Sequence, residues 1–384
     1  MKIVADANIP LLQEAFGPLG EVVSLPADRI TPETVRDARA LLVRSVTQVN
    51  EALLAGSRVE FVATATIGFD HIDQAYLASR GIGFASAQGC NARSVAEYVL
   101  AALAVLGERR GRPVLGQTLG IVGCGNVGGR LARMAEALGL RVLRNDPPLA
   151  RKTADPRYRP LEALADADIV TFHVPLEREG PDATYHMINQ GLLHRLKCGV
   201  TLLNSSRGSV VETAALKAAL AAGHLGAVVL DVWEKEPNID VELLERADIA
   251  TPHIAGYSYD GKVNGTRMVL EAFCRHFGVT REWDPSPLVP PPANPRVRLP
   301  AGLSVEEALR AATRAAYDIE ADDRRLRAMA KEPPEKRGKC FDSLRKHYPG
   351  RREFPETTVE LDGANPAVAA ALRAVDFPVD VMGV

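Results

Sequence analysis

The sequence predicts an α/β protein with two doubly wound parallel-sheet domains and a small C-terminal α+β domain. Three features indicate this fold class: short β-rich runs alternate with helical stretches, a glycine-rich turn follows a strand in mid-chain, and a proline-rich segment precedes the last part of the chain. The chain has 384 residues, of which 46% are hydrophobic, so it is long enough to form the cores of two or three domains.

The first series of strands begins at the N-terminus. Its candidate strands are KIVAD, EVVSL, ALLVRS, VEFVATAT and GIGFAS, separated by helix-like or turn-like segments. Because strands that alternate with helices form parallel sheets, this series predicts one α/β unit. A long helix from Ser94 to Glu108 is predicted next, with Ser94 as its N-cap and Glu97 in the position of a capping-box partner.

A second series of strands follows that helix and ends near Thr251. Its candidate strands are LGIV, RVLRN, IVTFH, VTLLN, AVVLDV and DIAT. The segment from Asp284 to Pro295 is too rich in proline for a helix or a central strand, so we expect a linker there. The chain beyond it begins with a helical pattern and is long enough for a third domain.

Composition and charge argue against several classes of protein. The net charge of -2 disfavours a dedicated nucleic-acid-binding protein, although Arg and Lys are dense between Arg324 and Arg352. No apolar run approaches the roughly 20 residues of a transmembrane helix and the N-terminus does not resemble a signal peptide, so we expect no membrane partner and a cytoplasmic location. The five cysteines have no metal-ligand spacing, so no metal site is predicted.

The glycine-rich turn predicts a dinucleotide site. Gly123, Gly125 and Gly128 form GxGxxG between a strand and a helix, where glycines allow a tight turn, close approach of a pyrophosphate and close helix packing. Asp146 ends the next strand, where a carboxylate can bind the ribose hydroxyls and repel a 2′-phosphate, which favours NAD over NADP. Asp146 could instead only open the turn that follows, and Arg144 and Arg151 leave NADP as an alternative.

Three ionisable residues follow consecutive strands of the second series. Arg207 comes after VTLLN, Glu236 after AVVLDV and His253 after DIAT. Ligands of doubly wound sheets bind beyond the carboxyl ends of the strands, so we expect these side chains on the rim that holds the nicotinamide. Taken singly, Arg207 could cap a helix or form a surface ion pair, Glu236 could lie in a polar turn, and His253 could be structural.

Together the three side chains suit the oxidation of a 2-hydroxyacid. An alcohol that loses hydride needs a base for its hydroxyl proton, which His253 can be, and the carboxylate of Glu236 can orient the imidazole and stabilise the imidazolium. Arg207 can bind the substrate carboxylate through two hydrogen bonds and stabilise charge on the developing carbonyl oxygen.

From Lys2 to about Gly278 the sequence resembles the D-isomer-specific 2-hydroxyacid dehydrogenase family. The resemblance is carried by VGCGNVG, NSSRGSVV, LDVWEKEP and TPHIAG. It implies two Rossmann-like domains, NAD as cofactor, a homodimer, and Arg207, Glu236 and His253 as the catalytic residues. The implied boundaries are residues 1–93 with 253–283 for a substrate-binding domain, 94–252 for the NAD-binding domain, 284–295 for the linker and 296–384 for a C-terminal dimerisation domain.

The resemblance also implies ligand contacts outside the catalytic residues. Substrate contacts are expected at Ser45, Thr66 and Tyr257, although Ser45 and Thr66 could be helix caps or turn hydroxyls. Val174 stands where some members of the family have threonine, which predicts one weakened cofactor contact. The expected cofactor-binding residues are Gly123, Gly125, Asn126, Val127, Gly128, Asp146, Val174, Ser205, Ser206, Arg207, Asp231 and Gly256.

Four segments indicate a distinct group within this family, one that acts on a phosphorylated hydroxyacid: KIVADANIP, LVRSVT, HIAGYSYDGKVNGT and the C-terminal FDSLRKHYPGRREF. Arg44 is the leading candidate for the distal phosphate, with a surface role as its alternative. The basic C-terminal segment could reach that phosphate across a dimer interface, or could be a solvated face or dimer surface. Two other functions stay open: a dehydrogenase for another hydroxyacid such as 3-phosphoglycerate, and a dinucleotide-sensing binding protein.

Overall fold

We analysed a computed structural model that describes residues 1–382, so the last two residues of the predicted C-terminal domain lie outside the described part of the chain. The chain divides into two compact units. Unit 1 comprises Met1–Asn91 and Ser258–Pro290, and unit 2 comprises Ala92–Tyr257 and the chain from Pro291 onward. No helix among the described residues is both long enough and apolar enough to cross a bilayer.

The described residues form three sheets, and every pairing between their strands is parallel. The strands are β1 (Lys2–Asp6), β2 (Glu21–Leu25), β3 (Ala40–Val43), β4 (Phe61–Thr64), β5 (Gly83–Ser86), β6 (Thr118–Val122), β7 (Arg141–Asn145), β8 (Ile169–Phe172), β9 (Val200–Asn204), β10 (Leu225–Leu230), β11 (Ile249–Ala250), β12 (Arg296–Leu299), β13 (Thr358–Asp362) and β14 (Val379–Met382).

Helices connect most of these strands. They are α1 (Leu12–Phe16), α2 (Pro32–Val35), α3 (Glu51–Leu54), α4 (Gln74–Ser79), α5 (Ala92–Arg110), α6 (Asn126–Ala137), α7 (Pro147–Thr153), α8 (Gln190–Arg195), α9 (Thr213–Ala221), α10 (Val241–Arg246), α11 (Tyr259–Phe277), α12 (Val305–Ala316), α13 (Ile319–Met329), α14 (Pro334–Lys346) and α15 (Pro366–Ala374).

Unit 1 contains a five-stranded sheet with the order β2-β1-β3-β4-β5. All four residues of both β3 and β4 are buried, as expected of parallel strands with both faces covered. Helix α11 covers one face, where the Phe273 ring meets the Phe16 ring edge-on with 5.5 Å between centroids. The strands predicted from the first series are all present.

Unit 2 contains a six-stranded sheet with the order β11-β10-β9-β8-β6-β7. The chain runs from β6 to β7 on one side and then returns to β8 on the other, so the carboxyl ends of β6 and β8 flank the point where the strand order reverses. Ligands of doubly wound folds bind at that point. All six predicted strands of the second series are present, and the predicted fold class is confirmed.

The predicted start of the long helix is wrong. Helix α5 already begins at Ala92, so Ser94 lies inside it and does not cap it. Ser94 Oγ instead donates a hydrogen bond of 2.7 Å to Glu353 Oε1, and Glu97 Oε2 accepts one of 3.1 Å from Arg351. A capping box and a buried contact with a distant segment require the same residue types, so the local pattern could not distinguish them.

The C-terminal part of unit 2 has its own parallel sheet with the order β12-β13-β14. Its core includes the Phe354 and Phe377 rings, which stack with centroids 4.4 Å apart. The helical pattern predicted beyond the linker forms two helices rather than one, because the Asp318 carboxylate accepts the Ala321 N–H and starts α13.

Candidate active site

The glycine-rich turn connects β6 to α6 at the switch point. Gly123 has φ +84°, and a Cβ on it would lie 2.4 Å from the His173 carbonyl oxygen. A Cβ on Gly128 would lie 2.0 Å from the Gly123 carbonyl oxygen, whereas a Cβ on Gly125 would meet nothing within 4 Å. The first and third glycines are therefore required by the fold, and the second leaves open space at the N-terminus of α6, as a pyrophosphate requires.

Asp146 stabilises the same turn. One of its carboxylate oxygens accepts the Cys124 N–H at 2.8 Å, and the other caps α7 by accepting the Leu149 N–H at 2.9 Å. Asp146 therefore has the alternative role of opening the turn that follows β7. Its role in ribose binding stays a prediction. Arg144 and Arg151, the two arginines that left NADP as an alternative cofactor, each form an ion pair, Arg144 with Glu136 and Arg151 with Asp182.

A second glycine brings the Arg207 loop close to the loop that carries Glu236. A Cβ on Gly208 would lie 1.9 Å from the Trp233 carbonyl oxygen, so only glycine allows these two loops to approach. Asn204 fixes the loop from inside, since its Nδ2 donates to the Arg207 carbonyl at 2.9 Å and its Oδ1 accepts the Ser206 hydroxyl at 2.7 Å. Arg207 is half-buried, and its Nη1 donates to the Ser206 carbonyl at 2.9 Å.

Glu236 and His253 form the pair that the sequence predicted. Glu236 Oε2 lies 2.8 Å from His253 Nδ1, and Glu236 Oε1 accepts the Trp233 N–H at 2.8 Å. Burial acts to raise the pKa of Glu236, but the charge and hydrogen bond of His253, the Trp233 amide and the charge of Arg345 together lower it below the usual value. Glu236 is thus an anionic partner that holds Nδ1 of the imidazole and leaves Nε2 for a substrate.

The loop that carries His253 is held by Asp231, which is 1% exposed. Its carboxylate accepts hydrogen bonds from the Thr251 hydroxyl at 2.7 Å, the Ile254 N–H at 2.7 Å and the Ala255 N–H at 3.0 Å. His253 itself has φ +57°, a conformation that costs free energy in a residue with a Cβ and that the surrounding bonds maintain. Asp231 positions the His253 loop, and the cofactor contact expected there stays a prediction.

The other expected cofactor residues of unit 2 lie along the same rim. Asn126 and Val127 are the first two residues of α6, and Val174 follows β8. Ser205 Oγ lies 3.5 Å from His173 Nδ1, and Ser206 is buried. Their contacts with a cofactor, like that of Gly256, stay predictions.

Sequence reasoning missed one cation near the catalytic pair. Arg345 of α14 donates a hydrogen bond of 3.3 Å from Nη2 to the hydroxyl of Tyr257, the expected substrate contact. It also belongs to the charges that lower the pKa of Glu236. The only sequence signal was the basic character of the C-terminal segment, which gave no reason to prefer this arginine. A second Glu–His pair was also missed, with 2.7 Å between His186 Nε2 and Glu234 Oε1.

Unit 1 contains the remaining expected substrate residues. Ser45 is exposed in the loop after β3, and Arg44 beside it is half-buried with its Nη1 buried and without a hydrogen-bond partner among the described residues. Lys262 in the first turn of α11 has its pKa lowered to about 8 by burial and by the charge of Arg44. Thr66 Oγ1 lies 2.7 Å from Thr64 Oγ1 and donates to the Gly68 carbonyl at 2.9 Å, as a turn hydroxyl does.

Comparisons with known proteins agree with this geometry. Residues 98–255 match the family model described as D-isomer specific 2-hydroxyacid dehydrogenase, NAD binding domain, and residues 288–375 match a domain of unknown function (DUF3410). The fold and the site together define an NAD-dependent 2-hydroxyacid dehydrogenase.

Full-length relatives are more specific. The chain is 46% identical to the erythronate-4-phosphate dehydrogenase of Marinobacter nauticus over 99% of its own length and 100% of the relative's. It is 49% identical to that of Salinibacter ruber over 94% of each chain, and 47% identical to that of Cronobacter sakazakii over 98% of each chain. The chain belongs to the erythronate-4-phosphate dehydrogenase family.

Solved structures of other dehydrogenases match only part of the chain. The D-lactate dehydrogenase of Aquifex aeolicus, complexed with NAD and lactic acid, is 26% identical with a TM-score of 0.60, and the match covers 72% of this chain and 96% of that chain. An NAD+-bound 3-phosphoglycerate dehydrogenase of Entamoeba histolytica is 25% identical with a TM-score of 0.62, covering 72% of this chain and 95% of that one. More than a quarter of this chain therefore has no counterpart in either match.

Proposed function

We propose that the chain oxidises 4-phospho-D-erythronate with NAD to 2-oxo-3-hydroxy-4-phosphobutanoate, as a step in pyridoxal phosphate biosynthesis. The observation that carries this function is the hydrogen-bonded pair of Glu236 and His253, 2.8 Å apart, on the rim that also carries the Arg207 loop. The full-length relatives that share the chain's extra segment are named for the same phosphorylated substrate.

The catalytic residues have distinct roles in this proposal. His253 accepts the C2 hydroxyl proton at Nε2 while Glu236 stabilises the imidazolium that forms. Arg207 binds the carboxylate at C1 and stabilises the developing carbonyl oxygen. NAD, when bound, supplies the acceptor for the hydride that leaves C2.

The glycine-rich turn and the residues around it are proposed to hold NAD. The open space at Gly125 supports a pyrophosphate at the N-terminus of α6, and the carboxylate of Asp146 supports ribose hydroxyls rather than a 2′-phosphate. Asn126, Val127, Val174, Ser205, Ser206, Asp231 and Gly256 complete the proposed set.

Ser45, Thr66 and Tyr257 are proposed to contact the substrate, and Arg44 to bind its phosphate. Arg44 Nη1 is buried without a hydrogen-bond partner among the described residues, and the charge of Arg44 contributes to the lowered pKa of Lys262. A buried donor without an acceptor favours a bound anion, which supports Arg44 over its alternative as a surface residue.

The chain is further proposed to act as a cytoplasmic homodimer through its C-terminal domain. Strand β14 is an edge strand, and its Val381 and Met382 are 44% and 42% exposed. An apolar edge of this kind favours association with a second copy.

Steady-state kinetics with two phosphorylated hydroxyacids tests the substrate. We expect kcat/KM for 4-phospho-D-erythronate to exceed that for 3-phosphoglycerate by at least about 100-fold, since an unfilled polar subsite leaves buried groups unpaired. Equal or inverted specificity constants would refute the assignment.

The Arg207→Ala variant distinguishes a dehydrogenase from a binding protein that only senses the dinucleotide. Catalysis by Arg207 predicts a loss of kcat/KM of about 100- to 1,000-fold in an enzyme that still binds NAD. Unchanged turnover in this variant would contradict the role of Arg207.

A further inference from the structure

Arg345 lies outside the part of the chain that matches the NAD-binding domain model of the 2-hydroxyacid dehydrogenases. It belongs to α14, within residues 288–375, which match a family model of unknown function. The D-lactate and 3-phosphoglycerate dehydrogenase structures leave more than a quarter of this chain unmatched while being almost entirely matched themselves. We therefore expect this segment to contain a residue that binds the substrate of this family.

The surroundings of Arg345 differ from those of an ion-paired arginine. No carboxylate among the described residues lies within salt-bridge distance of its guanidinium, and its Nε, like that of Arg351, is buried without a hydrogen-bond partner in the described part of the chain. Its Nη2 has one long hydrogen bond, 3.3 Å to the Tyr257 hydroxyl, and the guanidinium carbon lies 6.0 Å from the centre of the Tyr257 ring. The guanidinium is half-buried and makes one long hydrogen bond, so it has N–H donors left for an anion.

The nearby Arg351 shows what a structural arginine looks like in the same domain. Its side chain is 5% exposed, its Nη1 is 3.1 Å from the carboxylate of Glu97, and its Nη2 donates to the carbonyls of Ser94 and Ala255. Arg351 therefore has an internal counter-ion and joins the C-terminal domain to the catalytic loop. Arg345 lacks such a partner and points to the Tyr257 hydroxyl instead.

The charge of Arg345 is permanent and close to the catalytic carboxylate. Burial acts to lower the pKa of Arg345, but Tyr257 and Glu236 act to raise it, and the net result lies above the usual value. The guanidinium therefore stays protonated at any pH at which the enzyme works. A planar fork of N–H donors matches the oxygens of a phosphate group.

We propose that Arg345 binds the phosphate group of the substrate, so that the C-terminal domain supplies a specificity-determining residue to the active site of its own chain. This inference rests on the proposed function and deepens it. The sequence hypothesis that the basic segment reaches the phosphate across a dimer interface stays a prediction; the contact proposed here lies within one chain.

Binding of inorganic phosphate, measured by calorimetry on the NAD-bound enzyme, tests the proposal without any turnover. We expect Arg345→Gln to weaken phosphate binding about 10- to 1,000-fold, because a charge-assisted hydrogen bond to a desolvated anion is lost, and Arg345→Lys to weaken it less. Lys346→Gln removes one positive charge from the next, exposed position of α14 and should leave binding within about twofold, as solvent screens that charge.

Kinetics with 4-phospho-D-erythronate and unphosphorylated D-erythronate then distinguishes binding of the phosphate from action through Glu236. We expect Arg345→Gln to lower kcat/KM for the phosphorylated substrate by about the factor seen in phosphate binding, with less than about threefold change for D-erythronate. Equal losses for both substrates, with a shifted pH profile, would mean that Arg345 acts through Glu236 and would overturn the proposal.

Unchanged phosphate binding in Arg345→Gln would overturn the proposal as well. The Kd for NAD and the midpoint of thermal unfolding report whether the variant is folded, and Arg345→Lys provides a second folded variant. Failure of the wild-type enzyme to oxidise 4-phospho-D-erythronate would refute the proposed function. The calorimetric measurement would still show whether Arg345 binds phosphate, because it does not depend on turnover.

Discussion

The Glu236–His253 pair and the segment from Arg345 to Arg351 lie in the same unit, but different features of the fold position them. Glu236 and His253 follow neighbouring strands of one parallel sheet, so the topology brings them to 2.8 Å from one another. Arg345 and Arg351 belong to the C-terminal part of unit 2, and the packing of that part brings them to Tyr257 and to the Ala255 carbonyl. We propose that the chemistry of the reaction lies at the edge of the sheet and that selection of the substrate lies in the C-terminal part of unit 2.

The peptide group of Ala255 connects these two regions. Its N–H donates to Asp231 of the sheet at 3.0 Å and its carbonyl accepts from Arg351 of the C-terminal domain at 3.0 Å. The catalytic loop is therefore held from both sides, and the comparison predicts that changes on the two sides have different consequences.

The largest effect is expected on the sheet side, from His253→Gln. Loss of the general base should lower kcat by about 100- to 10,000-fold, with the Kd for NAD and the thermal midpoint nearly unchanged. The paired measurement is His186→Gln, which alters the second Glu–His pair and should keep kcat within about tenfold. A loss of kcat smaller than about tenfold in His253→Gln would contradict the role of His253 as the general base.

The next largest effect is expected in stability, from Arg351→Met. This change leaves Glu97 buried without its cation, which should lower the free energy of unfolding by about 3–5 kcal/mol in urea denaturation. Arg324→Met removes an arginine that is 66% exposed and should cost at most about 1 kcal/mol. Adding Glu97→Gln to Arg351→Met should recover part of the loss, and a double variant no more stable than the single one would contradict this account.

A smaller kinetic effect is expected from Glu236→Gln, which removes the charge and one of the two acceptor oxygens that serve His253 Nδ1 and the Trp233 N–H. Loss of the anion that stabilises the imidazolium should lower kcat/KM about 10- to 100-fold, with the Kd for NAD unchanged. A fall of less than about twofold would mean that Glu236 does not support the imidazole during the reaction.

The smallest effect is expected at the glycine-rich turn, from Val174→Thr. A new hydroxyl near the cofactor should lower the Kd for NAD by about 2- to 10-fold, which corresponds to one net hydrogen bond. Val174→Ala serves as the control that changes size without adding a donor. Weaker binding in Val174→Thr would indicate that the expected contact at this position is absent.

Much of the fold was predictable because it depends on local patterns. Each strand of the two large sheets appears as a short apolar run, and the glycine turn appears as GxGxxG because Gly123 and Gly128 have no room for a Cβ. Ser94 and Glu97 were misinterpreted because serine followed by glutamate is also a local pattern, and their true partners, Glu353 and Arg351, are far away in the sequence.

The sequence by itself determined the alternation of strands and helices, the position of the glycine-rich turn and the placement of Arg207, Glu236 and His253 after consecutive strands, because the carboxyl ends of parallel strands meet at one rim of the sheet. Tertiary structure alone decided that Asp231 holds the His253 loop, that Gly208 lets two loops approach, and that Arg345 comes to Tyr257. Contacts of this kind depend on how whole elements pack, and packing at long range has no period or spacing that a local pattern can reveal.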